Sequence, residues 1–247
     1  MSQPLLGKSA LVMGGSRGIG AAIVRRLARD GASVAFTYAA SGARAAALAA
    51  EIEREGGRAL AIEADGGDPA AVRRAVEEAA EALGGLDILV SNAGILINGS
   101  LGDYDLADFD RMVAVNVRAV FVASQAAAPL MRDGGRMITI GSVVAERNGS
   151  AGSAVYGMTK AAVAALNRGL ARDLGPRGIT VNTIQPGPTA TDMTPGEGPI
   201  ADRVRPMIAL GRLGRDDEIA GLAAYLAGPE SAFVTGASLT IDGGFLA

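Results

Sequence analysis

Short apolar runs alternate with longer amphipathic stretches along the whole of this sequence, and that alternation leaves few folds open. The run Ser9–Met13 is too short for a helix. It leads directly into Gly14-Gly15-Ser16-Arg17-Gly18-Ile19-Gly20 and then into a helical pattern from about Ile19 to Asp30, stopped by Gly31. Further strands are expected over 33–38, 59–64, 86–91, 136–140, 180–184 and 237–241. Between them, Ser41 is placed to cap an Ala-rich helix running to Glu55, and Asp68-Pro69 opens a helix to Leu83, with proline at its first position. Longer helices are expected over about 106–131 and 153–174, and another over 216–226. Such an order specifies an α/β fold: a Rossmann-type doubly wound parallel seven-stranded sheet with helices on both faces.

Composition narrows the chemistry. With 247 residues, 49% hydrophobic and 20% charged, the chain can build one sizeable core, and a single domain over 1–247 is expected. A net charge of −3 without a basic stripe argues against nucleic acid as a partner. Histidine and cysteine are both absent, which excludes disulfides, thiolate nucleophiles, histidine-based triads and the usual zinc sites; no metal site is expected. No apolar run approaches the ~20 residues of a membrane span, and 1–8 lacks a long apolar core, so the expected location is the cytoplasm, away from membranes.

Acid–base chemistry is left to Tyr, Lys, Asp and Glu, and one segment concentrates it. In a helix over 153–174, Tyr156 and Lys160 are four residues apart and share a face, with Ser142 a short distance upstream. A free phenol titrates near 10 and is a poor catalyst at neutral pH. An ammonium ~4 Å away, at an effective dielectric of ~20, would favour the phenolate by roughly 4 kcal/mol, or about 3 pKa units. That would bring Tyr156 into the working range of a general acid or base. The glycine turn adds a second element of chemistry. Placed between a strand and a helix, it lets the backbone approach a pyrophosphate, and the helix N-terminus supplies free N–H groups and positive dipole.

The spacing Gly14-x-x-x-Gly18-x-Gly20, together with Ser142, Tyr156 and Lys160, resembles the short-chain dehydrogenase/reductase family. So do Ser91-Asn92-Ala93-Gly94, Asn116, Gln185-Pro186-Gly187 and Asp242-Gly243-Gly244, in that order along essentially the whole chain. Two positions depart from the common pattern: Met13 replaces a threonine before the first glycine, and Ser91 replaces an asparagine. Both read as structural supports.

The resemblance implies a dinucleotide-binding oxidoreductase that reduces a ketone to a secondary alcohol with NADP(H). The catalytic set carried over is Asn116, Ser142, Tyr156 and Lys160. Tyr156 would exchange the proton with the substrate oxygen, and Ser142 would hold that oxygen. Lys160 would tune Tyr156 and hold the nicotinamide ribose, and Asn116 would bend its helix and hold a relay water. The cofactor set is Gly14, Ser16, Arg17, Gly18, Ile19, Gly20, Tyr38, Ser41, Asp65, Gly66, Asn92, Ala93, Gly94, Pro186, Gly187, Thr189 and Thr191, with Tyr156 and Lys160. No carboxylate follows the second strand, where Thr37-Tyr38-Ala39-Ala40-Ser41 stands, so a 2′-phosphate would not be repelled. Arg17 and Ser41 are candidate donors to it; the alternatives are a solvated turn residue and a helix cap. Asp65 is a candidate adenine contact or a loop cap, and Thr191 a phosphate contact or a turn residue.

The Pro/Gly/Thr-rich stretch at about 188–206 is expected to be a mobile substrate lid, with Met193 and Ile200 lining it and Ile95, Leu96, Val143 and Val144 adding further apolar wall. Such a pocket suits a small or medium, mostly uncharged ketone. Two other readings stay open. One is a 3-oxoacyl carrier-protein reductase docking its carrier through Arg132, Arg172 and Arg177, although 95–99 lacks the Arg-Asp continuation of such reductases. The other is a regulatory member that binds cyclic dinucleotides and turns over little. The resemblance also implies a homotetramer, with 233–247 and the 106–131 helix as candidate interfaces.

Overall fold

The computed structural model describes residues 3–149, 151–192 and 194–247. Seven strands form one sheet: β1 (Ser9–Met13), β2 (Ser33–Tyr38), β3 (Arg58–Glu63), β4 (Leu86–Ser91), β5 (Met131–Ile140), β6 (Thr180–Pro186) and β7 (Ser238–Ile241). They lie in the order β3-β2-β1-β4-β5-β6-β7, and every neighbouring pair is parallel. The helices are α1 (Gly18–Arg29), α2 (Gly42–Arg54), α3 (Pro69–Leu83), α4 (Leu106–Val113), α5 (Ala119–Ala127), α6 (Ala154–Leu174), α7 (Pro199–Val204) and α8 (Asp216–Ala227). Among the described residues no helix is long and apolar enough to cross a membrane.

Alternation along the strands explains the two-sided core. In β1, Ala10 and Val12 face a cluster with Ile23 and Leu27 of α1, Leu48 and Ile52 of α2, and Ile219 and Ala223 of α8. Leu11 and Met13 face the opposite cluster, with Val72 and Val76 of α3 and Val122 and Ala126 of α5. Each fully buried Leu, Ile or Val contributes roughly 1.5–3 kcal/mol by leaving water. The strand order reverses between β1 and β4, which opens a crevice at their carboxyl ends.

The structure departs from the sequence expectation in four places. The helix expected over 106–131 is two helices, α4 and α5, joined by a π-helical turn at Ala114–Arg118. It ends at Ala127 because Pro129 cannot continue it, and Met131 instead begins β5 opposite Leu86. Ser41 stands at the N-cap of α2 without a side-chain capping bond, whereas Asp68 does cap α3, accepting from Ala70 N at 2.8 Å. The 188–206 stretch contains α7, and it is anchored by a small cluster of Ala201, Ile208 and Leu213 packed on Phe245.

Candidate active site

A cleft of about 1380 Å³ follows the carboxyl edge of the sheet, large enough for a dinucleotide with a small substrate beside it. Its wall includes every residue in the predicted cofactor set and three of the four predicted catalytic residues, Ser142, Tyr156 and Lys160. Ile95, Leu96, Val143, Val144 and Ile200 line it as well. Met193 lies outside the described residues.

The glycine turn is held from two sides. Gly14 N donates to Thr37 Oγ1 at 2.8 Å and Gly15 N to Thr37 O at 2.9 Å. From β4, Asn92 Nδ2 donates to Gly14 O at 2.7 Å, while Asn92 N and Ala93 N both donate to Met13 O. Asn92 therefore ties the glycine turn to the exit of β4. Gly20 must be glycine: a Cβ there would collide with the Gly14 carbonyl oxygen and lie 2.5 Å from Asn92 Nδ2. The turn delivers the N-terminus of α1 to the cleft, where the first helical N–H groups have no intrahelical acceptor. Arg17 is the exposed N-cap, extended at φ −156, and makes no ion pair among the described residues.

Other members of the cofactor set are partly committed. Asp65 Oδ1 accepts from Gly67 N at 2.8 Å, so it caps its own loop while facing the cleft. Thr189 Oγ1 donates to Gly187 O at 2.9 Å. Thr191 and Thr194 exchange backbone bonds in a tight turn, and Arg44 of α2 reaches Asp192 at 2.6 Å across the cleft mouth.

The catalytic end is built on α6 and on the chain leaving β5. Ser142 is extended, at φ −171 and ψ 150, and the Tyr156 phenol is hydrogen-bonded to its side chain. Lys160 is buried, and Nζ donates to Ile140 O at 3.0 Å. Its distance to the Tyr156 ring centroid is 5.6 Å. The electrostatics differ from the sequence argument, in which the ammonium brings the phenol down. Burial pushes the Tyr156 phenol up to about 12, and the Ser142 hydrogen bond offsets this only in part. Burial also brings Lys160 down to about 8. Taking either charged form out of water outweighs the pairwise attraction at this separation. Tyr156 at neutral pH is therefore a protonated donor.

Asn116 alone of the catalytic set is not part of the cleft wall. It sits in the π turn, 1% exposed, and its carboxamide accepts from Ile95 N and donates to Ile95 O, both at 2.9 Å. Nδ2 also reaches Thr159 Oγ1 at 3.1 Å, and that hydroxyl donates to Tyr156 O at 2.8 Å. Asn116 Oδ1 and Lys160 Nζ each lie 3.4 Å from where a Cβ on Gly94 would stand, so both groups border the space that glycine leaves open. Thr37 and Thr159, which carry these links, are not signalled by any sequence motif.

The assembly is a doubly wound nucleotide-binding fold whose switch-point cleft joins an anion-accepting glycine turn to a Ser–Tyr–Lys set. A family model described as enoyl-(acyl carrier protein) reductase matches residues 14–246. The chain belongs to the short-chain dehydrogenase/reductase family. It is similar to the cyclic-di-GMP-binding biofilm dispersal mediator protein of Escherichia coli K12, 48% identical, with 97% of each chain covered. Among solved structures it resembles a short-chain dehydrogenase/reductase from Serratia marcescens at 59% identity and TM-score 0.97, covering 99% of this chain and 100% of that one. A short-chain dehydrogenase from Burkholderia cenocepacia in complex with NADP matches at 56% identity and TM-score 0.97, with the same coverage.

Proposed function

We propose that this protein is an NADP(H)-dependent reductase that converts a ketone to a secondary alcohol, with Tyr156 as the acid. The observation that carries the reading is continuity: one cleft runs from the anion-accepting end of α1 to a phenol that is protonated at neutral pH. The NADP complex of the Burkholderia relative supports the choice of cofactor.

The residues present fit that cofactor. Ser16, Gly18, Ile19 and Gly20 would hold the pyrophosphate at the head of α1, and Arg17 with Ser41 and Tyr38 the phosphorylated ribose. Asp65 and Gly66 would sit at the adenine. Asn92, Ala93, Gly94, Pro186, Gly187 and Thr189 would wall the nicotinamide, Lys160 and Tyr156 its ribose, and Thr191 would reach a phosphate. When bound, the cofactor supplies the hydride. The chain does the rest: Ser142 Oγ and Tyr156 Oη converge on the substrate oxygen, Tyr156 gives its proton to it, and Lys160 supplies positive charge beside the phenolate left behind. Asn116 fixes the π turn and Thr159, and its place beside the same open space at Gly94 as Lys160 supports a water-mediated refilling of the proton. The apolar wall from Ile95, Leu96, Val143 and Val144 favours an uncharged ketone, and 188–206 acts as the lid over it.

A carrier-protein substrate has less support. Arg132 is engaged by Asp87 and Gly84 O, and Arg177 by Asp133, Ala128 O and Met131 O, so two of the three candidate docking arginines hold the fold together. The Escherichia coli relative motivates a second reading, in which the cleft binds a cyclic dinucleotide with little turnover. NADPH consumption against a panel of ketones, beside calorimetry with cyclic di-GMP, separates the two. Turnover of a ketone supports the reductase; uniform inactivity with tight dinucleotide binding overturns it. The subunits are proposed to assemble as a homotetramer through the exposed Leu106 and Phe121 on α4 and α5 and the exposed Phe233. Sedimentation at a single tetrameric mass is the expected result.

A further inference from the structure

The way β5 releases the chain singles out a residue outside the cleft. The β5–β6 ladder closes at the Ile140–Ile184 pair, and Gly141 N then donates to Ile184 O at 2.7 Å. The next amide, Ser142 N–H, meets a side chain instead: Gln185 Oε1 at 2.6 Å. Beyond it the chain winds into a 3₁₀ turn at Val143–Ala145. Ser142 thus stays extended for one residue past the ladder, because a carboxamide on β6 stands in for the missing strand carbonyl.

Three further observations show that this arrangement is built rather than incidental. Gln185 is 1% exposed, so its carboxamide cannot trade the bond for water. Its backbone is fixed from the other side by pairing with Thr240 of β7. Gly141 provides the room: a Cβ there would collide with Gln185 Oε1 and lie 3.0 Å from its Cδ. Gln185 is also absent from the cleft wall, so it has no direct access to substrate or cofactor.

We infer that Gln185 is a positioning residue for the reaction, which aims the Ser142 hydroxyl at the substrate oxygen by holding the Ser142 amide. The inference rests on the catalytic role proposed for Ser142. Its effect belongs on the rate of the chemical step: a misaimed donor weakens stabilisation of the developing oxyanion while the cofactor site stays intact.

The test is a double-mutant cycle on the full-length protein, read with NADPH and whichever panel ketone turns over. Gln185→Leu removes the acceptor at similar volume, and Gln185→Met is the alternative should the leucine variant fold poorly. Either is expected to lower kcat about 10- to 100-fold while NADPH affinity stays within about twofold. Gln185→Glu keeps an oxygen acceptor and is expected to recover most of the loss. In a Ser142→Ala background the leucine or methionine change should cost no more than about a further twofold. Full additivity in the cycle, or wild-type kcat in both acceptor-free variants, overturns the positioning role. Wild-type kcat in Ser142→Ala alone overturns the catalytic reading and the inference with it.

A readout independent of turnover separates the two ideas. With tyrosine ring carbons labelled with carbon-13, the Tyr156 phenolic carbon reports its hydrogen bond to Ser142, and Tyr156→Phe assigns the signal. The signal in Gln185→Leu or Gln185→Met should move to its position in Ser142→Ala. A signal left at the wild-type position contradicts the inference even if no ketone is reduced.

Discussion

Lys160→Met should make the fold more stable at neutral pH while removing turnover. The ammonium is buried, its pKa drops from 10.5 to about 8, and it donates to the Ile140 carbonyl. That drop corresponds to a penalty of about 3 kcal/mol for folding with the side chain charged. Methionine fills similar space without the charge, so the penalty disappears, while the Ile140 carbonyl left without its donor costs about 1 kcal/mol. The net gain is about 2 kcal/mol at neutral pH. The sign reverses with pH. Between about 8 and 10.5 the unfolded wild-type chain holds a proton that the folded one has released, so wild-type stability climbs through this window. The variant lacks the group and gains nothing, so its advantage should shrink and end as a deficit of about 1 kcal/mol. Guanidinium titrations of both proteins from about pH 7 to about pH 10 measure the difference directly. A variant less stable than wild type at neutral pH, or a difference that stays constant across the window, would refute the claim that desolvation dominates at Lys160.

Other consequences follow from the same geometry. Ketone reduction should decline as pH rises through about 8, where Lys160 loses its charge, whereas alcohol oxidation, which needs the Tyr156 phenolate, should rise with pH; parallel pH–rate profiles in the two directions check this. Gly20→Ala should cost about 2–4 kcal/mol, from overpacking against Gly14 O and loss of the Asn92 bond, and lower the melting temperature by roughly 5–15 °C. A melting curve within a degree or two of wild type would contradict the tight packing of that turn. Arg17→Gln should weaken NADPH binding about tenfold or more and leave NADH binding unchanged, as measured by fluorescence titration. Equal losses for both cofactors would show that Arg17 does not read the 2′-phosphate.

Much of this molecule is legible in the sequence because its signals are local. The seven strands are short apolar runs bounded by glycine, proline or polar turns, and the Tyr156–Lys160 spacing acquires meaning once 154–174 is a helix. What escaped the sequence is set by partners distant along the chain. Pro129 was available to end the long helix, but the strand that follows, at Met131, depends on Leu86 across the sheet. The bend at Asn116 enters the sequence reading only through the family resemblance; its form, a π turn, and the carboxamide clasping both polar groups of Ile95 have no short-range pattern. The direction of the Tyr156 shift could not be read from a four-residue spacing either. Spacing brings the ammonium near, but the amount of protein around both groups decides which effect wins, and burial appears only in the folded chain. Gln185 sits inside a recognisable motif, yet its partner is an amide 43 residues earlier.

The central claim is that Tyr156 delivers a proton to the oxygen of a carbonyl whose carbon receives hydride in this cleft. A single-turnover reaction with NADPH deuterated at the transferring position tests it most directly, with wild type and Tyr156→Phe side by side. The wild type should place deuterium on the carbinol carbon of the product. The phenylalanine variant should bind NADPH with similar affinity and transfer about 10²- to 10⁴-fold more slowly. Transfer at the wild-type rate without the phenol would contradict the account.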